Sequence, residues 1–301
     1  MPRPTLHSNS RPAATAAIKP GSALAFAGVR PRKSRGQNFL VQDRLAERIV
    51  GAAELAPGDA VVEIGPGLGI LSGVIARHPI ARLTLIEIDP RLVASLAARF
   101  AGDARVSVIN DDFLHADFKP IAQCRTLKVI GNLPFNAAAA ILERLCAYRA
   151  SISRMVLMFQ REVAERIRAR AGSREHGALS LFTALYWEVI DHFRVAAGNF
   201  HPRPKVDAEV LVFAPSTQSF VTAIEERAIL TTIRASFSAP RKTIRNSLAT
   251  GLRLDPRAAE DALAIAAIEP SARPGALAVA DFVKLARALG RVALPADSTD
   301  A

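Results

Sequence analysis

Four apolar runs in this chain end in small or polar residues, and their spacing suits a ligand site. Val61-Val62-Glu63-Ile64 runs into Gly65-Pro66-Gly67-Leu68-Gly69, where glycines let the backbone turn sharply and approach a ligand. The next run ends in Glu87, about 20 residues past the glycines, from where a carboxylate accepts both hydroxyl protons of a ribose. Asn110-Asp111-Asp112 ends the third run and Asn132-Leu133-Pro134-Phe135-Asn136 the fourth. Gly-x-Gly-x-Gly is tighter than the Gly-x-Gly-x-x-Gly of dinucleotide sites, and no Lys-Ser/Thr follows to hold phosphates. A ligand with a ribose and no phosphate fits best. That favours S-adenosylmethionine over NAD.

The elements that must position these groups alternate as βαβ units. A helix is expected over the apolar positions Leu40, Leu45, Ile49, Ala52 and Leu55, with Asp43 near its start and Pro57-Gly58 after its end. Strands are expected at Ala60–Ile64, Arg82–Ile88, Val106–Ile109, Leu127–Ile130 and Met155–Phe159. Helices are expected at Leu71–Arg77, Arg91–Phe100, Ala137–Tyr148 and Arg161–Arg170. Such alternation specifies an α/β fold with a parallel sheet covered on both faces. Leu179–Val189, Phe193–Val195 and Glu209–Phe213 suit late strands closing a sheet edge. Ile224–Leu248, Asp255–Ile268 and Ala278–Leu289 read as amphipathic helices. The expected organisation is a basic, flexible arm over 1–36, one large unit over 37–215 and a small helical domain over 216–301.

Composition narrows the partners. Lys and Arg number 39 against 28 Asp and Glu, a formal net charge of +11, which points to a polyanion and foremost to nucleic acid. No apolar run approaches the roughly 20 residues that span a bilayer, so no membrane role is expected. Two cysteines, Cys124 and Cys146, and six scattered histidines make neither a disulfide framework nor a zinc site, so no metal is expected. Cytosolic chemistry is the default. The first acidic residue is Asp43, and the Arg-rich, acid-free segment before it suits an organellar transit peptide or an RNA-touching tail equally.

Several separate motifs in register carry a family resemblance. Gln37-Asn38-Phe39-Leu40, Glu63–Gly69, Asn132–Phe135, Gln160–Arg166, Phe200–Asp207 and Arg241–Leu248 together resemble the rRNA adenine N6,N6-dimethyltransferases, from about Arg32 to about Leu289. The resemblance implies a Rossmann-like, S-adenosylmethionine-dependent methyltransferase sheet with a small α-helical C-terminal domain. It implies that Asn38, Leu40, Gly65 and Gly67 meet the methionine part and the turn around the cofactor, Glu87 its ribose and Asp112 its adenine. Asn132 and the carbonyl near Leu133 would accept hydrogens from the target amine, with Pro134 stiffening that carbonyl. Phe135 and Phe200 would stack on the two faces of an adenine taken out of its helix.

For the RNA surface the candidates are Arg161, Arg166, Arg203, Lys205, Arg241, Lys242 and Arg245, on several elements at one edge. The partner would be rRNA in a small ribosomal subunit precursor, bound by a monomeric enzyme in the cytoplasm. Two other readings compete: an enzyme of the large-subunit resistance branch, and an RNA-binding assembly factor that keeps the fold without the reaction. Departures from the small-subunit pattern fall at Ala137–Ala140, where Ile-Ser-Thr-Pro is usual, at Ala178, which replaces an arginine, and at Pro240.

Overall fold

A computed structural model describes residues 37–123, 127–134, 137–216 and 223–293. The expected basic arm over 1–36, Phe135 and Cys124 lie outside the described residues. The chain opens with β1 (Phe39–Leu40) and α1 (Asp43–Gly51), and then alternates. The series is β2 (Ala60–Ile64), α2 (Ile70–Ile75), β3 (Arg82–Glu87), α3 (Pro90–Phe100), β4 (Val106–Asn110), β5 (Leu127–Asn132), α4 (Ala138–Cys146), β6 (Ile152–Gln160) and α5 (Arg161–Ile167). There follow α6 (Ala178–Tyr186), β7 (Trp187–Val195), β8 (Phe200–His201) and β9 (Ala208–Pro215). Helices α7 (Ala223–Ser236), α8 (Ile244–Leu252), α9 (Pro256–Ile265) and α10 (Val279–Ala293) complete it.

Seven strands form one sheet in the order β4-β3-β2-β5-β6-β9-β7, with β2 to β6 parallel and β9 and β7 antiparallel additions. All five residues of β2 are buried, as expected of a central strand with helices on both faces. One core on the sheet gathers Val62, Val129, Leu157 and Phe213 with Leu142 and Leu145 of α4. The other gathers Val61, Leu85, Ile130 and Val156 with Ile49 of α1 and Ile75 of α2. The chain leaves β2 toward β3 and β4, then returns to β5 on the opposite side. That reversal opens a crevice at the carboxyl ends of β2 and β5.

Two expected elements are corrected. Leu179–Val189 is not a strand: α6 occupies 178–186 and β7 starts only at Trp187. Leu181 and Leu185, one turn apart, enter a core shared with Ile229, Ile233 and Phe282 of the C-terminal helices, while Leu179 packs against the sheet. A helix wedged between two cores is apolar on two sides, so it shows no single stripe and reads as a continuous apolar run. Ile224–Leu248 is not one helix but α7 and α8, parted by a turn through Pro240, which has no N–H to continue the ladder. Arg241 and Lys242 therefore sit in that turn and not on a helix. Among the described residues, no helix is long and apolar enough to cross a membrane.

Candidate active site

The glycine turn after β2 forms one wall of a cavity of about 400 Å³ at the crevice. Gly65, Gly67 and Gly69 all have positive φ, at 66°, 58° and 74°. At Gly67 a side chain would also collide, because an added Cβ would lie 3.0 Å from the Phe39 ring. Glu87 ends β3 at the cavity and is 5% exposed. Its two oxygens accept the N–H of Gly67 at 3.1 Å and of Asp89 at 2.9 Å, so the carboxylate is fixed at the cavity. Burial pushes its pKa up, against the pull of the backbone N–H groups of Asp89, Gly67 and Ile88. Asp112, at the end of β4, also lines the cavity and caps its own turn by accepting the Leu114 N–H at 2.9 Å.

Below the turn sits a carboxyl group that motif spacing alone leaves without a role. Glu63, 1% exposed, accepts the Ser72 hydroxyl of α2, and burial pushes its pKa up to about 8. Glu87 raises it further, while Ser72 and the Arg99 guanidinium pull it down. Arg99 of α3 pins the turn itself, donating to the carbonyls of Leu68 at 3.1 Å and Gly69 at 2.8 Å. Gln37, Phe39, Ile88 and Ile141 also line the cavity, alongside the expected Asn38 and Leu40. Phe39 and Glu63 lie within the motifs that carry the resemblance. The apolar walls carry no signal of their own in a sequence.

At the tip of β5, Asn132 Nδ2 donates to the Asn38 carbonyl at 3.0 Å. That bond fixes the amide through Nδ2 and leaves its acceptor Oδ1 outside it, on a residue that lines the cavity together with Leu133 and Pro134. Leu133 is held by its own N–H on the Met158 carbonyl at 3.2 Å and buries its side chain. The site thus gathers Asn38, Leu40, Gly65, Gly67, Glu87, Asp112, Asn132, Leu133 and Pro134. Phe200 is not among them. It pairs with Leu40 across the short β1–β8 ladder and is 3% exposed, its ring taken into the core with Leu40 and Val210. There it supports the wall that Leu40 presents.

Residues 28–289 match the family described as Ribosomal RNA adenine dimethylase. The chain belongs to that family. A relative from Geobacter metallireducens, named Ribosomal RNA small subunit methyltransferase A, is 37% identical over 266 residues, which covers 87% of this chain and 96% of the relative. One of the same name from Moorella thermoacetica is 38% identical over 282 residues, with 90% and 97% covered. Among solved structures, the 23S rRNA methyltransferase ErmE superposes with a TM-score of 0.64 at 27% identity, over 84% of this chain and all of that one. A dimethyladenosine transferase from Plasmodium falciparum superposes with a TM-score of 0.72 over 85% of this chain and 98% of its own, at 23% identity, a likeness of fold. The Rossmann-like methyltransferase sheet implied by the motifs is the sheet observed.

Where the chain departs from the family pattern, the structure separates wall from periphery. Ala137 and Ala140, where isoleucine and proline are usual in the small-subunit branch, line the cavity, whereas Ala138 and Ala139, at the two hydroxyl positions, lie outside the lining. Ala178 opens α6, outside the lining. The cations separate too. Arg161 pairs with Glu165 at 3.2 Å and Arg166 with Glu162, both one turn along α5, and Arg245 approaches Glu260 at 3.8 Å. Arg203, Lys205, Arg241 and Lys242 are exposed and have no carboxylate partner among the described residues. Among those residues there is likewise no group of three or more His, Cys, Asp or Glu placed to hold a metal ion.

Proposed function

We propose that this protein uses S-adenosylmethionine to dimethylate the N6 amines of adenines in small-subunit rRNA. The observation that carries the reading is Asn132: an amide anchored through Nδ2 to Asn38, on a residue that lines the cavity with Gly65 and Pro134. The residues present fit the cofactor, since Glu87 presents two oriented oxygens for a ribose, Asp112 an acceptor for an amino group, and Leu40 and Ile88 apolar surface. When bound, it supplies an electrophilic methyl group on a sulfonium.

The chain's own contribution is orientation. An adenine amine is a poor nucleophile because its lone pair is delocalised into the ring. Oδ1 of Asn132 and the carbonyl near Leu133 accept its two hydrogens, which favours a pyramidal nitrogen whose lone pair points into the cavity. No strong base is needed, because the nitrogen's proton becomes acidic once the methyl has arrived. Pro134 keeps the accepting carbonyl in place, and Phe135 offers a stacking face to the extruded base.

RNA is held first by Arg203, Lys205, Arg241 and Lys242. Arg161, Arg166 and Arg245 join once phosphates compete with their glutamates. Within this reading 37–215 is the methyltransferase unit and 216–301 the RNA-holding one, working as a monomer on a small-subunit precursor in the cytoplasm. Small-subunit rRNA is favoured over large-subunit rRNA because the relatives named for it are 37% and 38% identical, against 27% for ErmE. The test is the chemical position of the product. After transfer from methyl-labelled cofactor into rRNA and digestion to nucleosides, label should appear in N6,N6-dimethyladenosine. Label in a ring-nitrogen or ribose methyl would refute the reading.

A further inference from the structure

We propose that Arg144, which does not line the cavity, is the positioning residue through which the site selects adenine in its cofactor. The inference rests on the reading of the cavity as an S-adenosylmethionine site. The turn after β4 is closed upon Asp112: the Leu114 N–H reaches its Oδ1 at 2.9 Å, and the N–H groups of His115 and Ala116 reach its carbonyl at 2.8 Å each. That arrangement uses the turn's donors and leaves two carbonyls, on Leu114 and Ala116, pointing away from it. A helix would pass such carbonyls to the next turn, but none continues here.

Arg144 of α4 takes both. Nη1 donates to Leu114 O and Nη2 to Ala116 O, at 2.5 Å each, and the guanidinium lies 5.8 Å from the Phe113 ring centre. Its Nε is buried with no partner among the described residues, so the head group is oriented by these two bonds. A planar fork spanning two carbonyls fixes their separation and direction, which a lysine ammonium cannot do. Arg105 makes a comparable double contact, with the carbonyls of Ala76 and His78, but outside the cavity lining. Arg144 differs in what it joins. It stands one turn beyond Ala140 and Ile141, which line the cavity from α4, and α4 follows directly on the Asn132–Pro134 segment. Its two bonds therefore tie the wall bearing Asp112, Phe113 and Leu114 to the helix that brings Ala140 and Ile141 to the cavity. Asp112 can discriminate a purine amino group only while its turn is held.

The experiment compares two ligands by calorimetry on the full chain, S-adenosylhomocysteine and its deaminated counterpart S-inosylhomocysteine. They differ only at that edge of the purine, where the amino group becomes an oxo group and N1 gains a hydrogen. Wild type should prefer the adenine form by about tenfold or more, the worth of one hydrogen bond to a charged acceptor. Arg144→Met, which keeps the apolar stem, should bring the two affinities close together, and Arg144→Lys, able to reach one carbonyl, should fall between. Equal weakening of both ligands with the preference intact would make Arg144 a structural residue only and overturn the proposal. So would a wild type that binds both equally. Should Arg144→Met not fold, the Lys variant decides by the same ratio. Wild type binding neither ligand would instead overturn the reading of the cavity itself.

Discussion

In the proposed reaction Asn132 and Glu87 divide the work of the site, and the division is measurable one residue at a time. Asn132 is placed to act on the reacting amine, so Asn132→Ala should slow single-turnover methyl transfer by roughly 2–4 kcal/mol of barrier, the range for losing one preorganised polar group. Cofactor and RNA affinity should barely change; a matching loss of binding would make Asn132 a fold residue. Glu87 is placed to hold ribose, so Glu87→Ala should weaken binding of S-adenosylmethionine by about 2–3 kcal/mol, as for charge-assisted hydrogen bonds. An unchanged dissociation constant in calorimetry would refute that role. The place of both residues at the cavity was legible in the sequence because each is a polar group at the tip of an apolar strand. The buried place of Phe200 was not, because an aromatic beside prolines reads alike whether it lies at a surface or fills a core. Its burial against Leu40 is decided by the β1–β8 pairing, two short segments about 160 positions apart in the chain.

At the scale of elements, β2, α2 and α3 meet beneath the glycine turn through Glu63, Ser72 and Arg99. The Glu63 carboxyl holds its proton up to about pH 8 when folded, against an ordinary value of 4.5. The folded state thus binds that proton more tightly than the unfolded chain does, and its stabilising effect is lost as pH rises from 4.5 through 8. Unfolding free energy from urea titrations should fall between pH 6 and pH 8 by up to about 1 kcal/mol per pH unit on account of this group. Glu63→Gln, an uncharged isostere, should remove that share of the slope, while the share from Glu87, which has the same sign, stays. Parallel curves for variant and wild type would contradict the buried, protonated carboxyl. The strands around this joint were legible from their apolar runs and glycine punctuation. Helix α6 was not, since its two apolar sides serve two different cores, and sequence periodicity reports a face only when there is a single one.

For the whole molecule, a net charge of +11 made a polyanionic partner legible without showing which cations are available. The structure sorts them by their partners: α5 neutralises its own arginines, whereas the turn at Arg241 and Lys242 leaves its charges exposed. Replacing Arg241 and Lys242 together by alanine should weaken rRNA binding and flatten the dependence of log affinity on log salt by roughly 1 to 2, about one unit for each phosphate that the variant no longer neutralises. A slope unchanged by the double variant would mean that these two charges face solvent in the complex.

The central claim, methyl transfer to adenines of the small subunit, is tested most directly by offering the wild-type protein both substrates with labelled S-adenosylmethionine. Under-methylated small-subunit particles should take up label, with the uptake falling steeply as salt is raised, and protein-free large-subunit rRNA should take up little. Label confined to large-subunit rRNA, or absent from both while the cofactor still binds, would contradict the account.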